Sequence, residues 1–204
     1  MRPIHARGEV TRRSILDAAE SIFADIGYGA ARLDQVARAV GIRRPSILYY
    51  FPGKQELYDA VEADIFASMH AFVQERTQGL TDPLARLLAL LDAWLDFNVG
   101  RPSAARIIQR LVADAAPQRG DPTEFSFSAL EDIEAVFADG VRSGAFRPLP
   151  AMHFLNGVAA GVLFYVCNGG QLGEGRRYDP ADPAELARFR ALLHLLAKTA
   201  VRRD

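Results

Sequence analysis

The chain has 204 residues, of which half are hydrophobic and about a quarter are charged, and its formal net charge is −1. This composition is typical of a folded globular protein of one or two domains and excludes a fibrous or low-complexity chain. A single cysteine, Cys167, excludes an internal disulfide framework and favours a reducing compartment. The N-terminus lacks the apolar segment of a signal peptide, and the most apolar stretch, 154–167, is too short to span a membrane. We therefore expect a cytoplasmic protein with no membrane partner.

The first predicted element is a helix that follows a short polar segment. Residues 1–8 contain a proline and a glycine and predict a mobile basic arm. Thr11 is expected to cap the helix through its hydroxyl, and Gly27 is expected to end it. Arg12 and Arg13 near its start are equally compatible with a DNA-backbone contact and with a solvated position. The apolar residues recur at helical spacing and predict a packing platform, formed by Ile15, Ala18, Ala19, Ile22, Phe23 and Ile26.

Two short helices joined by a tight turn are predicted next, over residues 33–51. Gly41 stands where a left-handed residue ends a helix, and Pro45 suits the first turn of the second helix. A helix, a glycine turn of about 3–4 residues and a second helix form the helix-turn-helix pattern, whose second helix enters the DNA major groove. The apolar stripes are Leu33, Val36, Ala37 and Val40 in the first helix, and Ile47, Leu48 and Phe51 in the second.

The remaining side chains of the second helix suit DNA. Arginine binds phosphates or the O6/N7 edge of guanine, and Ser and Tyr hydroxyls bind phosphate oxygens. The alternative is a solvated helix face, but the turn, the stripe and the basic tip occur together. The first 54 residues also carry nine basic and five acidic side chains, whereas the remainder has a net charge of −5. The predicted DNA contacts are Arg32, Arg43, Arg44, Pro45, Ser46, Tyr49, Tyr50 and Lys54.

Residues 9–60 resemble the TetR family of bacterial transcriptional regulators. The resemblance rests on the order and spacing of ILDAAESIFADIGY, LDQVARAVGI and RRPSILYYFPGKQELY. The family usually has Thr or Ser where this chain has Ala31 and Arg32, so we expect Asp34 to support the second helix through the helix dipole instead. The family also often has Ser and Tyr at the positions of Arg43 and Leu48. The resemblance implies an N-terminal three-helix DNA-binding domain, placed at 9–69, and a C-terminal effector-binding and dimerisation domain, placed at 70–204.

The rest of the chain is predicted to be helical, which gives an all-α protein of about nine helices. A long helix at 55–78 links the DNA-binding part to the body. Glycines and prolines separate it from the following segments. Further helices are predicted at 84–99, 103–116, 125–141, 152–168 and 184–201, with loops at 117–122 and 169–183.

The middle helices contain more aromatic residues than a minimal bundle requires. Aromatic walls with a few polar groups are typical of small-molecule sites, although the same residues also suit a plain core. The resemblance implies an effector pocket in this region. We therefore expect a small, largely apolar effector. The candidate ligand-binding residues are Phe66, His70, Trp94, Phe97, Phe137, Tyr165 and Asn168.

The last two helices are compatible with a monomer core and with half of a four-helix bundle between two monomers. The resemblance implies the second arrangement, a homodimer that places two recognition helices in successive major grooves of a near-palindromic operator. We therefore expect a repressor that ligand binding releases from double-stranded DNA. The alternatives are an activator and a DNA-binding protein without an effector.

No motif of an enzyme was found in the sequence. A nucleophile elbow, a phosphate-binding loop, a zincin helix and a dinucleotide fingerprint are all absent, and the glycines of 168–175 follow a predicted helix and lack the lysine of a phosphate loop. The four histidines are scattered and do not have metal-site spacing. We therefore expect no catalytic residues, no cofactor and no metal.

Overall fold

The computed structural model describes residues 4–113 and 127–203. Within these residues the chain forms nine helices and no strand, which confirms the all-α prediction. The predicted loop at 117–122 and the predicted start of the seventh helix lie outside the described residues. The helices are α1 Ile4–Ala30, α2 Leu33–Val40, α3 Arg44–Tyr50, α4 Lys54–Thr77, α5 Pro83–Gly100, α6 Pro102–Ala113, α7 Phe127–Arg142, α8 Ala151–Asn168 and α9 Pro183–Val201.

The described residues divide into two compact units. The first unit contains 4–65 together with 106–113, and the second contains 66–105 together with 127–203. Helices α4 and α6 therefore each contribute residues to both units. The sequence predicted a single domain boundary, between residues 69 and 70. No pattern in the sequence indicated that the second half of α6 belongs with the N-terminal residues.

Helix α1 begins earlier than predicted. It starts at Ile4, so the prediction of a mobile arm is wrong for residues 4–8, and Thr11 lies inside the helix instead of capping it. The prediction of an arm rested on the polar character of this segment and on its proline and glycine. A single glycine costs a helix only about 1 kcal/mol relative to alanine, which the remaining residues of a long helix can offset.

Helix α1 is broken at Gly27, as the sequence predicted. This residue has φ 77° and ψ 165°, a backbone conformation that favours glycine. The break leaves carbonyl groups near the end of the helix without helical partners. The guanidinium of Arg110 in α6 donates to the carbonyls of Ala24 and Asp25 at 3.4 Å each, and Arg106 pairs with the Asp25 carboxylate at 2.7 Å. The second half of α6 therefore stabilises the end of α1.

The core of the second unit is built from α5, α7, α8 and α9. Leu95, Val162 and Leu193 are buried there, and Phe146 closes it beyond the end of α7. A Cβ atom on Gly140 would lie 2.1 Å from the Phe146 ring, so this position accepts no larger residue without rearrangement.

Helix α8 is apolar along its whole length but poorly covered. By length and composition alone, its 18 residues would be sufficient to cross a membrane, whereas the sequence analysis judged the apolar stretch too short. The difference arises because the helix continues through Asn156 and includes residues 151–153 and Asn168. It is π-helical over Leu155–Ala159, and only 28% of its residues are buried.

Ion pairs join α9 to α5 within the second unit. Arg190 binds Asp92 at 2.8 Å and Asp96 at 2.5 Å, and His194 lies 2.8 Å from Asp92. Asp96 also lies 3.7 Å from Arg76 of α4. The carboxylates of α5 therefore connect three helices of this unit.

Candidate nucleic-acid interface and body cavity

The turn between α2 and α3 has the geometry that the sequence predicted. Gly41 adopts φ 73° and ψ 29°, the left-handed conformation, and the N–H of Ile42 donates to the carbonyl of Ala37 at 3.0 Å. These bonds satisfy carbonyl groups at the end of α2. Leu33 and Val36 are buried on the side of α2 that faces the first unit's core. The turn is therefore fixed by backbone geometry and by apolar packing together.

The start of α2 is capped in a way that the sequence analysis missed. The N–H of Arg32 donates to Oε1 of Gln35 at 2.8 Å, so the glutamine side chain reaches back over the first turn. This is the second half of a capping box, in which a Glu or Gln three residues into the helix bonds the N-cap backbone. The spacing from Arg32 to Gln35 was the available signal. Asp34, which was expected to support the helix dipole, lies 3.8 Å from Arg44.

Helix α3 is held by two buried residues and presents polar side chains on its other side. Ile47 and Phe51 are buried, but Leu48, which was predicted to belong to the apolar stripe, is 40% exposed. The prediction for Leu48 is wrong because 47 and 51 are one turn apart, whereas 48 is rotated by about 100° from 47. Tyr49 is 84% exposed. The other exposed residues of this surface are Arg43, Arg44, Pro45 and Ser46.

Two predicted DNA contacts are partly engaged within the first unit. The Lys54 ammonium lies 3.4 Å from the Gly29 carbonyl and 4.3 Å from the centre of the Tyr28 ring. Tyr50 is half-buried, and its ring packs edge-on against Tyr49 with 5.1 Å between centres. Arg32 is exposed at the N-cap of α2. The exposed tip of α3 is therefore the part of the predicted set with the most available surface.

The arginines at 12 and 13 differ in their surroundings. Arg13 pairs with Asp17 and Asp64, and the hydrogen bond to Asp64 raises the pKa of its guanidinium. The guanidinium of Arg12 lies 5.1 Å from the centre of the Phe51 ring. The charge of Arg13 is therefore paired with carboxylates of the first unit, whereas the guanidinium of Arg12 lies against the Phe51 ring at the C-terminal end of α3.

The second unit contains a cavity of about 400 Å³ at the ends of α4 and α5 beside α7. Its volume lies within the usual range of small-molecule sites. Leu80, Leu90 and Val136 provide its apolar surface. The other six lining residues have polar side chains: Gln74, Glu75, Thr77, Gln78, Arg86 and Asp132. None of the seven residues predicted to bind a ligand lines this cavity.

Most of the predicted ligand-binding aromatics have packing partners. The indole N–H of Trp94 donates to the carbonyl of Ala159 at 3.0 Å. The Phe97 ring packs against Phe72, with 5.8 Å between ring centres. Phe66 is half-buried on α4. These residues therefore lie on the packed surfaces of the helices.

Phe137 is buried and packs against the rings of Phe146 and Phe154, although it also touches an open, largely apolar groove beside the end of α7. Tyr165 stacks on Phe189 with 4.0 Å between ring centres and on Tyr178 with 5.0 Å, and burial raises the pKa of its hydroxyl to about 12. These stacks make Phe137 and Tyr165 part of the packed interior.

Two polar members of the predicted set have incompletely satisfied atoms. Nδ2 of Asn168 is buried without a hydrogen-bond partner in the described part of the chain, and so is Nδ1 of His70. This His70 atom lies 3.7 Å from Asp132, which lines the cavity. His70 is therefore the predicted ligand residue with the closest connection to the cavity.

Comparison with known proteins identifies the family. The family model described as "Bacterial regulatory proteins, tetR family" matches residues 15–61. The HTH-type transcriptional regulator RutR of Escherichia coli K12 is 30% identical over 159 residues, which covers 76% of this chain and 73% of RutR. The chain belongs to the TetR family. The helix-turn-helix of this TetR-family regulator coincides with α2 and α3, and its relatives are named as transcriptional regulators, not as enzymes.

Two further proteins extend the likeness. The HTH-type transcriptional repressor KstR2 of Mycolicibacterium smegmatis is 27% identical over 143 residues, which covers 67% of this TetR-family chain and 68% of KstR2. The crystal structure of the regulator FadR from Bacillus subtilis in complex with stearoyl-CoA has a TM-score of 0.71 at 15% identity, covering 93% of this chain and 99% of FadR. The second likeness concerns the fold alone, and it extends through both units.

Among the described residues, no group of three or more His, Cys, Asp or Glu side chains is placed to hold a metal ion. Asp92 and Asp96 are both paired with Arg190, and His194 lies 2.8 Å from Asp92. Among the described residues, the candidate functional surfaces are the exposed side chains of α3, the cavity and the exposed apolar residues of α8 and α9.

Proposed function

We propose that this TetR-family regulator is a homodimeric, cytoplasmic repressor that binds a near-palindromic operator and leaves it when a small molecule binds the second unit. The observation that carries the proposal is the exposed tip of α3. Tyr49 is 84% exposed beside two exposed arginines, while Ile47 and Phe51 anchor the opposite side of the helix in the first unit. An anchored helix with an exposed basic and hydroxyl-bearing surface is what insertion into the major groove requires.

The exposed side chains of α3 suit two kinds of DNA contact, one with base edges and one with phosphate oxygens. Arg44 is exposed and has only a 3.8 Å ion pair with Asp34, which is worth little in water and leaves its guanidinium available. It suits a guanine edge or a phosphate, and the Tyr49 hydroxyl suits a phosphate oxygen. Ser46 lies at the same end of the helix. Because α3 has only two turns, these few side chains carry most of the base recognition that we expect.

The proposal of a dimer rests on α8 and α9. Phe164 is 60% exposed and Leu195 is 61% exposed, although both belong to helices of the unit's core. A group of large exposed apolar residues usually marks a surface that another molecule covers. A second copy of the same chain would cover them with two-fold symmetry and would pair two recognition helices. The other exposed apolar residues of these helices are Met152, Leu192 and Leu196.

Two features support the release of DNA when a small molecule binds. The second unit contains a cavity, and two helices, α4 and α6, each have residues in both units. The FadR structure shows that a protein of this fold holds a small molecule, stearoyl-CoA. A ligand that favours one arrangement of the second unit shifts the population of DNA-competent dimers by its differential affinity. A coupling of about 1–3 kcal/mol changes DNA affinity by roughly 5–150-fold. Helices α4 and α6 are the continuous elements through which such a change would reach the first unit.

Fluorescence anisotropy with the DNA that flanks the protein's own gene tests the proposal, with a scrambled duplex as control and a salt series for both. We expect preference for the native duplex at physiological salt. Arg44→Ala should weaken binding by about 10-fold or more if the arginine reads a base edge, because such a contact contributes about 1–3 kcal/mol, and Tyr49→Ala should weaken binding by removing a phosphate contact. Arg142→Ala, which removes an exposed arginine at the end of α7, outside α3 and the two proposed interface helices, is the matched control.

The salt series distinguishes the roles of Arg44. If this arginine contacts only phosphate, its loss lowers affinity evenly for all sequences and reduces the salt slope by about one unit. If it reads a base, the loss of affinity is larger on the native duplex than on the scrambled one. Wild-type affinity in both the Arg44→Ala and the Tyr49→Ala protein would refute the assignment of α3 as the recognition helix.

A further inference from the structure

The polar cavity of the second unit does not match the effector that the aromatic content of the chain suggested. Its floor is apolar, formed by Leu90 and Val136, which are largely or fully buried. Its walls are amides, a hydroxyl and charged groups. A largely apolar molecule bound there would leave these polar groups without water and without hydrogen bonds, at a cost that grows with each group. The lining therefore selects for a polar ligand with a short apolar part.

The charges of the lining indicate the sign of that ligand. Arg86 is the only cationic residue of the described lining, and its guanidinium is already bound to the Asp139 carboxylate at 2.9 Å. No arginine or lysine of the described residues pairs with Asp132, which accepts hydrogen bonds from the neutral amide of Gln74 at 3.1 and 3.3 Å. The imidazole of His70 is also near, with its Nδ1 atom 3.7 Å from the Asp132 carboxylate.

A second carboxylate adds to this excess. Glu75 is exposed at the rim and forms no ion pair within the part of the chain that the structure describes. The cavity thus offers two carboxylates, and within the described residues neither is paired with an arginine or lysine. Its remaining polar groups, the amide of Gln78 and the hydroxyl of Thr77, can accept hydrogen bonds as well. A cationic ligand would therefore find two carboxylates together with further oxygen acceptors.

We propose that this cavity binds a small organic cation, an amine or guanidine compound whose charged group is held by Asp132 and whose alkyl part lies on Leu90 and Val136. Binding of the cation does not depend on the proposed function. Only its role as the effector that releases DNA rests on that proposal. Asp132 is about 30% exposed, so its carboxylate is partly removed from water and a charge-assisted hydrogen bond there is stronger than at the open surface.

Isothermal titration calorimetry of the full-length protein tests the binding step without DNA. The probes are putrescine and agmatine, with decanoate as the apolar anionic comparison. We expect the two cations to bind with greater affinity than decanoate. Asp132→Asn keeps the shape of the side chain and its ability to bond Gln74 but removes the charge, and it should weaken cation binding by about 10-fold or more.

The matched control is Glu131→Gln, which removes one negative charge from an exposed neighbour on α7 that does not line the cavity. It should bind the probes like the wild type. Glu75→Gln, at an exposed position that tolerates substitution, provides a second variant if Asp132→Asn unfolds, and it should weaken binding by a smaller factor. Preference for decanoate, equal binding by Asp132→Asn or Glu75→Gln and wild type, or absence of cation binding would overturn the inference.

Anisotropy of the DNA complex with the same probes separates this inference from the proposed function. Cation binding in the calorimeter with no sequence-specific DNA binding would support the site and refute the regulator proposal. Specific DNA binding by a protein that binds neither cation would support the regulator proposal and overturn the inference.

Discussion

Glu62 in α4 provides a quantitative test of the first unit, because its carboxyl group is poorly solvated. The side chain is half-buried, and its Oε1 atom has no hydrogen-bond partner in the described part of the chain. Burial raises the pKa of Glu62 to about 7, opposed by a hydrogen bond with Tyr58 and increased slightly by the charge of Asp59. Substitution by glutamine keeps the size of the side chain and removes the ionisation.

The direction of the effect follows from proton linkage. Between the ordinary glutamate pKa and about pH 7, the unfolded chain has released the proton while the folded chain still holds it. The free energy of unfolding therefore falls as the pH rises through this window and is constant above it. The full shift corresponds to about 3 kcal/mol at 1.36 kcal/mol per unit. Because the group is partly solvated, we discount this to about 1 kcal/mol.

We therefore expect Glu62→Gln to be about 1 kcal/mol more stable than the wild type at pH 8 and nearly equal to it at pH 4.5. For a chain of this length this difference corresponds to an increase in Tm of about 2–4 °C at pH 8. Thermal unfolding followed by circular dichroism at several pH values measures it. Glu131→Gln, at an exposed position, is the control and should not change the pH dependence. Parallel curves for Glu62→Gln and wild type, or a lower Tm of the variant at pH 8, would refute the reasoning.

Two further predictions concern the contacts that the structure adds to the sequence. Arg110→Met keeps the length of the side chain but removes its bonds to the carbonyls of Ala24 and Asp25, and we expect a loss of about 1–2 kcal/mol in the free energy of unfolding, measured by urea denaturation. Unchanged stability would show that water replaces these bonds. Leu195→Glu places a charge on the exposed face of α9. We expect sedimentation velocity to show a monomer, and because a monomer presents only one recognition helix, its affinity for the operator should fall. A dimer that persists in this variant would place the interface elsewhere.

The parts of the fold that depend on local spacing could be predicted from the sequence. The α2 stripe, the turn at Gly41 and the start of α3 near Pro45 all follow from residues within one or two turns of each other. The errors at Leu48 and at the start of α1 are of the same local kind. A helix of only seven residues has too few apolar positions to fix which side faces inward, and one glycine does not decide whether a long helix begins before it or after it.

The contacts that could not be predicted join residues far apart in the sequence. The pair of Arg106 and Asp25 and the bond from Arg86 to Asp139 involve common residue types with no periodic pattern. The cavity raises the same difficulty, because its polar lining comes from three helices and no single segment carries the pattern. The aromatic residues were a misleading signal for its walls, since aromatic side chains are also what a core of packed helices uses to fill its volume.

Helix α9 shows how a local pattern and a distant contact combine. At about 100° per residue, Arg190 and His194 lie on the same side of the helix as the buried Leu193, Ala197 and Val201. The leucines at 192, 195 and 196 lie on the opposite, exposed side. A helix of an isolated monomer would normally turn its leucines inward and its charges outward. Here the carboxylates of α5 bind the inward charges, so the leucine side is left for another surface. This arrangement fits the proposed homodimer, in which a second copy of the chain would cover the leucine side, and we expect the ion pairs with α5 to hold α9 in the orientation that the proposed interface needs.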